Sequence, residues 1–560
     1  MRGARPALLS VLALGLAQGL IGIRWGLPGP SRVAAFPPAF QPSLENALEM
    51  TQRWQKLYEG IEAAHKSLAP EEPVTYVQGR EEIPPGWSFP PDKLLNSYRS
   101  FLLRTENPDE QKSFVVLARM RPWRFQFEPL FIQYGGAFIY PLGAYLELLS
   151  WTRAVHVVPD MAYYLRDPAQ MGRLFLAARV FMLLCQLATL YVVFDLGAML
   201  GGELAGAAAC LLFMLCPIVA VTSHIVKPHP WAALWIVAAA RWAARKNYPM
   251  AGLAAGLGAG ANFAFGIFFA LPWLAWLLDG RKKDELKRAA LGTILGIAVF
   301  LALNPYALLA RRDFLWETTV YPGSSGASWS SLLALLGPRL VGAAGLAAAL
   351  CFLWGLADGF KRREARLVWW TAVGGLAVTW ALIATRWGFV GGVGAWRFFY
   401  PAVALFCVLA GAAIARAPKW ARGVALAAIL IDGAPRCVVY LRNMAWDAGG
   451  TRARAAAWID ENAPAGASLG LARYPQPATS PVMRYDKYRL VVYSDPALLE
   501  KDPPRFLLLD DSGASELERS AAAPLYALVD DEKPYGFLWA RVEDETFFAN
   551  PRLRIYRSKA

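Results

Sequence analysis

Two adjacent acids in the stretch RTENPDEQKSF, residues 104–114, are the first candidates for chemistry. Asp109 and Glu110 follow Pro108 in a chain that is otherwise rich in apolar residues. Such a carboxylate pair can supply a general base or hold a divalent metal ion. The same residues also suit the first turn of a helix, where acids face the positive end of the helix dipole. Spacing alone favours the helix start, so any chemical role depends on what surrounds the pair.

Cations near the ends of apolar segments form the second group of candidates. Its members are Lys227, Arg386, Arg397 and Arg179, with Arg311 and Arg312 in similar positions. Guanidinium groups pair well with phosphate, and an arginine inside an apolar run is costly unless it faces a partner. These positions favour an anionic ligand at headgroup level. For each single residue, extension of the side chain toward lipid headgroups is the alternative.

Two histidines flank Lys227 in the stretch SHIVKPHP. His224 and His229 can be brought together by the prolines of this loop, and a divalent metal ion is the cofactor that such a pair suggests. A third fixed ligand is missing from the pattern, which favours a structural role instead. Asn262, in GAGANFAFG, is expected to be buried with a local hydrogen bond.

The elements that must position these residues are membrane helices. The chain has 560 residues, of which 56% are hydrophobic and 18% charged. Because one span needs about 20 apolar residues, we predict a membrane all-α fold with about 11 spans. They are expected at 7–23, 174–197, 204–222, 231–244, 250–262, 264–278, 289–309, 331–357, 367–385, 398–415 and 420–440. Residues 134–151, which include Pro141, are expected to lie on the membrane surface.

The distribution of basic residues predicts the orientation of the chain. Four basic clusters fall on one side of the predicted bundle, at 241–246, 281–288, 361–366 and 416–422. By the positive-inside rule that side is cytoplasmic, as is the N-terminus, and the C-terminal region is periplasmic or otherwise external. Topology and anionic lipids therefore account for the net charge of +14 without nucleic acid. We expect the inner (plasma) membrane as the location.

The polar regions divide the chain into two predicted domains. Residues 1–440 form the membrane domain, with a large first outer loop at 28–172 that contains an amphipathic helix at 44–68. Residues 441–560 form a small soluble α/β domain, because TRARAAAWIDENAPAGASLGL has the pattern of an amphipathic helix, a Pro-Gly turn and a strand, and further short β-type runs follow it. None of the six cysteines lies in a CxxC pair or in a polar region, which argues against disulfides and thiolate metal sites.

The order of these motifs resembles that of the C-type, polyprenyl-phosphate-dependent glycosyltransferases. Within them it is most similar to glycosyltransferase family 39, which contains the protein O-mannosyltransferases and the aminoarabinose transferase of lipid A, in the form of a bacterial member. The segments that carry the resemblance are NPDEQ, FIQYGGAFIYPLGAYL, AARVFMLLCQLATLYVV, AGLAAGLGAGANFAFG, WRFFYPAVAL and TRARAAAWIDENAP.

The resemblance implies an activity and roles for individual residues. The protein would transfer a sugar, hexosyl or pentosyl, from a polyprenyl-phosphate donor to a protein, lipid or glycan acceptor on the outer face. Asp109 would be the catalytic base with Glu110 beside it, and the donor phosphate would meet Arg397 and Arg386, with Lys227 and Arg179 as further cations. The chain departs from its relatives at His229, where they often carry an acid, and at Asn262, where they often carry Lys.

A transporter or flippase of lipid-linked substrates is the alternative. It would place ionisable groups at mid-membrane and interrupted helices in two symmetric halves. The sequence has few charges inside its predicted spans and one large asymmetric outer loop. It also lacks the nucleotide-binding patterns GxGxxG and strand-flanked DxD, so a lipid-linked donor is favoured over a nucleotide sugar.

Overall fold

The computed structural model describes residues 6–33, 36–64, 79–129, 132–315, 329–386, 395–445, 449–542 and 548–559. Most of these residues are helical. The helices are α1 Pro6–Leu20, α2 Pro30–Val33, α3 Leu44–Ala64, α4 Asp92–Leu103, α5 Glu110–Arg119, α6 Gly136–Trp151, α7 Met161–Arg166, α8 Pro168–Leu215, α9 Pro217–Thr222, α10 Pro228–Ala244, α11 Tyr248–Ala261, α12 Leu271–Leu278, α13 Lys283–Leu303, α14 Tyr306–Leu309, α15 Arg311–Leu315, α16 Trp329–Ala344, α17 Leu346–Lys361, α18 Arg366–Arg386, α19 Tyr400–Arg416, α20 Lys419–Ala445, α21 Thr451–Asn462 and α22 Asp511–Glu518.

Length and apolar composition allow four of the described helices, α8, α13, α19 and α20, to cross a membrane. A fifth span results if α16 and α17, bent by 113° where they meet, are counted as one. Other predicted spans correspond to shorter helices such as α1, α10 and α11. The total of about 11 spans therefore remains a prediction.

Helix α8 is a hairpin of two antiparallel helices. The chain reverses at Gly201 and Gly202, and Gly202 has a φ of +80°, which side chains other than glycine rarely adopt. The thiol of Cys210 lies 3.3 Å from the carbonyl oxygen of Leu190, so the two halves face each other. The stretch thus contains two helices, as predicted, but the second ends at Leu215, and the predicted segment up to 222 continues as the separate helix α9.

The start of α6 packs closely against the ends of α11 and α13. A Cβ atom on Gly135 would lie 1.9 Å from the carbonyl oxygen of Gly260, and one on Gly136 would lie 1.9 Å from that of Leu303. Any side chain at these two positions would push the helices apart. The glycine pair of the stretch FIQYGGAF thus fixes α6 against the bundle.

The carboxyl ends of the first and last long helices meet. Gly22, just after α1, lies so close to Met444, near the end of α20, that a Cβ atom on the glycine would be 2.6 Å from the Cβ of Met444. If both helices cross the membrane, they run in the same direction, and the chain crosses an odd number of times. This arrangement is compatible with the predicted odd number of spans.

A six-stranded sheet forms the core of the C-terminal region, with strand order β1-β3-β2-β4-β6-β5. The strands are β1 Arg80–Ile83, β2 Ser468–Leu471, β3 Arg489–Tyr493, β4 Phe506–Asp510, β5 Tyr526–Glu532 and β6 Leu553–Ser558. Strand β2 pairs in parallel with β3 and β4, and the other pairings are antiparallel. The helix predicted in TRARAAAWIDENAPAGASLGL is α21, and the predicted runs at β2, β3, β4 and β6 are confirmed as strands.

The edge strand β1 comes from the outer loop and not from the C-terminal region. Its pairing with β3 runs from Arg80 opposite Tyr493 to Ile83 opposite Leu490. The sheet therefore includes one strand from the segment predicted as the first outer loop, and the domain boundary at residue 441 stays a prediction. Local sequence did not reveal this, because REEI lacks the β-branched pattern of a strand and is held by its partner's backbone.

Candidate active site

Asp109 stands at the N-terminus of α5, as the helix-start interpretation predicts. Its backbone N–H donates to Asn107 Oδ1 at 3.0 Å, and the helix begins at Glu110. The Asp109 side chain makes no capping hydrogen bond to its own helix. The carboxylate is therefore not occupied by the helix start.

Two cations from distant segments converge on one oxygen of Asp109. Lys227 Nζ lies 2.6 Å and Arg397 Nη1 lies 2.9 Å from Asp109 Oδ2. Lys227 immediately precedes α10, and Arg397 lies in a short 3₁₀ turn, Ala395–Phe399, before α19. A third cation, Lys112, is farther away, with its Nζ 3.8 Å from Asp109 Oδ1. The structure thus brings together three residues that the sequence singled out separately.

This cluster is partly open on one side. The Lys227 side chain is 4% exposed, whereas 20% of Arg397 and 23% of Asp109 remain exposed. Among the described residues, the buried Nε of Arg397 has no hydrogen-bond partner. Two desolvated positive charges and a spare N–H donor suit an incoming anion, since charge-assisted bonds are strong at low dielectric.

The cations also determine the protonation state of Asp109. Burial by itself would raise its pKa, but the charges of Lys227 and Arg397, together with Lys112, lower the pKa well below the ordinary value. Asp109 is consequently a carboxylate over the whole physiological pH range. While both cations remain on it, it is also a weak base.

Glu110 has a different environment from its neighbour. Its side chain is fully buried against the equally buried Arg179, with Arg179 Nε at 2.9 Å from Oε1 and Nη2 at 2.7 Å from Oε2. The hydroxyl of Thr105 and the backbone N–H of Val226 donate to the same carboxylate. All sides of Glu110 are therefore occupied by protein.

Arg179 ties this pair to the segment that follows α1. Its Nη1 donates to the carbonyl oxygens of Ile23, at 2.9 Å, and Trp25, at 2.6 Å, and its guanidinium lies 4.9 Å from the Trp25 ring. Neither Glu110 nor Arg179 lies on the open face of the cluster. The geometry favours a positioning role for both residues, in which the pair holds the loop that carries Lys227. The catalytic role of Glu110 and the phosphate-binding role of Arg179 stay predictions.

The two candidate metal ligands face different neighbours. His224 Nδ1 lies 2.6 Å from the carbonyl oxygen of Ala220, within its own helical turn. His229 Nε2 lies 3.2 Å from Asn262 Nδ2, and its ring packs edge-on against Phe398 at 4.9 Å. Asn262 also caps the next turn by accepting from the N–H of Ala264, which confirms its predicted local hydrogen bond.

The residues present do not fit a divalent metal ion. Among the described positions no three His, Cys, Asp or Glu side chains lie close enough to hold one. Asp109 is the carboxylate nearest the open face, and the charges of Lys227 and Arg397 beside it would repel a metal cation. No step of the proposed reaction is therefore assigned to a metal.

Three further cations were predicted near a phosphate or at similar positions, namely Arg386, Arg311 and Arg312. Helix α18 ends at Arg386, and the side chain of Arg386 lies outside the described part of the chain. Arg311 and Arg312 are exposed on the short helix α15. The prediction that Arg386 meets a phosphate stays a prediction.

Sequence reasoning missed a second set of charges that holds the loop of Asp109. Glu106 Oε2 accepts from Arg452 Nη1 at 2.8 Å, and Arg32 Nη2 lies 3.8 Å from Glu106 Oε1. Arg452 belongs to α21 of the C-terminal region and also donates to the carbonyl oxygen of Phe548 at 2.8 Å. The C-terminal region is thus joined to the loop three residues before Asp109. Nothing in the spacing of these residues indicates the contact.

A cavity lies beside the cluster, and the buried Tyr134 lines it. Burial, together with the negative charge of Asp109, raises the pKa of Tyr134 well above its ordinary value, so the phenol stays neutral. The cavity is small, with a volume of about 10 Å³, and Tyr140, Asn304 and Tyr306 are among its other walls. Asn304 Oδ1 accepts from the N–H of Gly136 at 2.8 Å, which fixes this wall to the start of α6.

Comparisons with known proteins yield distant structural neighbours. No family model and no curated protein matches the chain. The crystal structure of ArnT from Cupriavidus metallidurans bound to undecaprenyl phosphate aligns with 81% of this chain and 94% of its own, at 13% identity and a TM-score of 0.44. The oligosaccharyltransferase AglB from Archaeoglobus fulgidus, in complex with an inhibitory peptide and a dolichol-phosphate, aligns with 72% of this chain and 65% of its own, at 12% identity and a TM-score of 0.40.

The mycobacterial arabinofuranosyltransferase AftD aligns with 79% of this chain and 39% of its own, at 15% identity and a TM-score of 0.36. At such identities and TM-scores below 0.5, a likeness carries no argument about function. The chemistry of the cluster around Asp109 is the better guide to function.

Proposed function

We propose that this protein is an integral membrane glycosyltransferase that moves a sugar from a polyprenyl-phosphate donor to an acceptor hydroxyl. The observation that carries the proposal is the cluster of Asp109, Lys227 and Arg397, in which two buried or half-buried cations share one carboxylate oxygen on an open face. Such a transfer needs a base, which Asp109 can supply, and cations that bind the anionic leaving group, which Lys227 and Arg397 can supply.

A membrane location is supported by the apolar surface of the long helices. The most apolar stretch of α13 is only 17% buried, and on it Leu291, Ile294 and Ile297 are 46%, 62% and 45% exposed. An exposed apolar surface of this length suits lipid and is unfavourable in water. A lipid-linked donor would hold its phosphate at headgroup level, where Lys227 and Arg397 can reach it.

The reaction can be written with its atoms and charges balanced. The acceptor oxygen forms a bond to the anomeric carbon, and the bond between that carbon and the phosphate oxygen breaks. The phosphate departs with the bonding electrons, and Lys227 and Arg397 stabilise its developing charge. The proton of the acceptor hydroxyl passes to Asp109. A phosphate leaving group needs little acid assistance, so one carboxylate is sufficient.

Exchange of ion-pair partners would link donor binding to base strength. In the free protein, Lys227 and Arg397 lower the pKa of Asp109. A donor phosphate that attracts these two cations removes part of that effect, so the pKa of Asp109 rises toward its ordinary value. Asp109 then becomes a better base at the moment when a sugar is in place. We infer that Asp109 is a weak base in the free protein and that binding of the donor makes it a stronger one.

The transporter alternative is less compatible with the charges in the helices. Asp195 pairs with Arg241 and Arg245, each at 2.6 Å, near one end of the bundle. Within the described ranges one pair of bent helices qualifies as an interrupted span, whereas a transporter built from repeats would show a matched pair in each half.

The sequence resemblance and the charge pattern support three finer proposals. These are membership of glycosyltransferase family 39, a bacterial origin and an external C-terminal domain. The sugar, whether hexosyl or pentosyl, and the acceptor are left open.

Reconstitution in liposomes tests the proposal directly. Purified protein is mixed with a polyprenyl-phosphate sugar labelled in the sugar, together with candidate protein, lipid and glycan acceptors, and cleavage of the sugar–phosphate bond is followed. We expect label to leave the donor with the wild-type protein and to stay on it with Asp109→Asn. Movement of intact donor between leaflets, without bond cleavage in either protein, would establish the transporter instead.

A further inference from the structure

The C-terminal region exposes a short apolar turn that has no role in the proposed reaction. Between β5 and β6, the backbones of Phe537 and Ala540 exchange two hydrogen bonds, at 3.1 and 2.9 Å, and place Leu538 and Trp539 at the end of a tight loop. The exposed fractions of Phe537, Leu538 and Trp539 are 39%, 60% and 53%. Residues 537–539 are called the apolar tip below. Three large apolar side chains in water are unfavourable for a soluble surface.

The conformation of the apolar tip is defined by hydrogen bonds. Leu538 has a φ of +53°, in the left-handed region that a bulky side chain rarely adopts. Arg541 Nη1 donates to the carbonyl oxygens of Leu538, at 2.9 Å, and Ala540, at 2.8 Å, and so holds the turn closed. Strained backbone that surrounding contacts maintain is a feature of functional segments.

The position of the apolar tip is set by the end of α20. Asn443 Oδ1 accepts from the N–H of Tyr535 at 2.9 Å, and Asn443 Nδ2 donates to the carbonyl oxygen of Tyr535 at 3.0 Å. Asn550 Nδ2 donates to the backbone oxygen of Asn443 at 2.9 Å. The buried Asn443 therefore holds the segment that leads from β5 into the tip against the last turn of α20.

Helix α20, which carries Asn443 near its carboxyl end, is proposed to cross the membrane. It has 27 residues and is one of the four long apolar helices. At 1.5 Å per residue its length is about 40 Å, comparable to a bilayer with its headgroups. On its surface Ile431 and Val438 are 61% and 42% exposed, as expected for lipid contact. Residues near Asn443 then lie at the level of the headgroups.

We propose that the apolar tip inserts into the lipid leaflet on the side of the C-terminal domain and anchors that domain to the membrane surface. Trp and Leu side chains favour the boundary between headgroups and acyl chains. A lipid partner is favoured over a protein partner because the hydrogen bonds between Tyr535 and Asn443 hold the segment before the tip against the end of α20, a helix long and apolar enough to cross a membrane. This inference rests on the membrane location in the proposed function, and not on the reaction.

A depth measurement with a single fluorescent label tests the anchor. All six native cysteines are buried, so Leu538→Cys provides one reactive thiol for an environment-sensitive maleimide dye. Ser515→Cys, exposed on α22 of the same domain, is the matched control. Both proteins are placed in nanodiscs that contain lipids with a spin label at the headgroup or along the acyl chain.

We expect the dye at position 538 to be quenched several-fold more strongly by acyl-chain spin labels than the dye at 515, and to be protected from aqueous iodide. Equal iodide quenching at the two positions would overturn the proposal. The readout needs no enzymatic turnover, so a failed glycosyltransferase assay leaves it unaffected. A second variant, Trp539→Asp, should release the tip and raise iodide access to the dye at 538, and an unchanged iodide access would likewise count against insertion.

Discussion

Lys227 Nζ lies 2.6 Å from Asp109 Oδ2, and Arg397 Nη1 lies 2.9 Å from the same oxygen. One carboxylate oxygen thus carries two hydrogen-bonded cations that come from two other segments of the chain. Lys227 and Arg397 can exchange the Asp109 carboxylate for another anion of similar size. A phosphate group has the charge and the oxygen spacing for that exchange.

Replacement of Asp109 by Asn should separate chemistry from donor binding. We expect Asp109→Asn to lower kcat by about 10²- to 10⁴-fold, because the variant loses the base. Donor affinity should be kept or increased, since the phosphate no longer competes with Asp109 for Lys227 and Arg397. Single-turnover transfer and equilibrium binding of a polyprenyl phosphate measure the two effects. Loss of binding with kcat retained would contradict the assignment.

Replacement of Lys227 by Gln should weaken donor binding. A charge-assisted hydrogen bond contributes about 1.5–3 kcal/mol, so the dissociation constant for polyprenyl phosphate should rise about 10- to 100-fold. Lys112→Gln is the matched control, because Lys112 is also beside Asp109 but at 3.8 Å and on the other oxygen. Its effect should be several-fold smaller. Equal effects of the two variants would show that only the net charge of the region matters.

The pH dependence should differ between kcat/KM and kcat. In the free protein the pKa of Asp109 is lowered below its ordinary value of about 3.9, so the base stays ionised as the pH falls to about 4. In the donor complex its pKa is higher, and activity is lost as the pH falls through that value. We therefore expect the acid limb of kcat at higher pH than that of kcat/KM. In Lys227→Gln the acid limb of kcat and that of kcat/KM should lie closer together in pH, because the free protein then lacks one of the charges that lower the pKa of Asp109.

Replacement of Glu110 by Gln should act on stability more than on chemistry. It leaves the buried Arg179 without a counter-charge, and breaking a buried pair in this way costs about 3–5 kcal/mol. The midpoint of thermal unfolding in detergent should fall further than for Asp109→Asn, whose side chain is partly exposed. The double variant Glu110→Leu with Arg179→Met should recover part of the loss, because no buried charge remains. If Glu110→Gln is inactive but fully stable, Glu110 takes part in the reaction.

The contact between Arg452 and Glu106 should affect turnover from outside the cluster. In Glu106→Gln the loop of Asp109 loses its charge-assisted bond to the C-terminal region, and we expect a lower kcat with little change in donor affinity. Arg552→Gln is the control, since Arg552 pairs with Asp531 inside the C-terminal region at 2.6 Å. A double-mutant cycle with Arg452→Gln measures the coupling, and additive effects on kcat would exclude it.

The chain sequence determined the local elements because their causes are local. The long apolar runs specify helices, as at α13 and α20, and the short apolar runs in RLVVY and RFLLLDD, bounded by polar residues, specify the buried strands β3 and β4. The pattern NPDEQ specifies the start of α5, since Pro and acids are favoured in a first turn. Residue type also identified Asp109, Lys227 and Arg397, because charges next to apolar spans need a partner or water.

Only the tertiary structure decided which of these charges meet. Asp109 and Glu110 are adjacent in sequence, yet one faces two cations on an open side and the other is sealed against Arg179. The contact of Glu106 with Arg452 and the pairing of β1 with β3 likewise join distant segments. Spacing along the chain carries no information on such contacts, because they arise from the packing of whole helices and sheets. The division between a candidate base and a structural acid therefore follows from burial, which the stretch RTENPDEQKSF does not encode by itself.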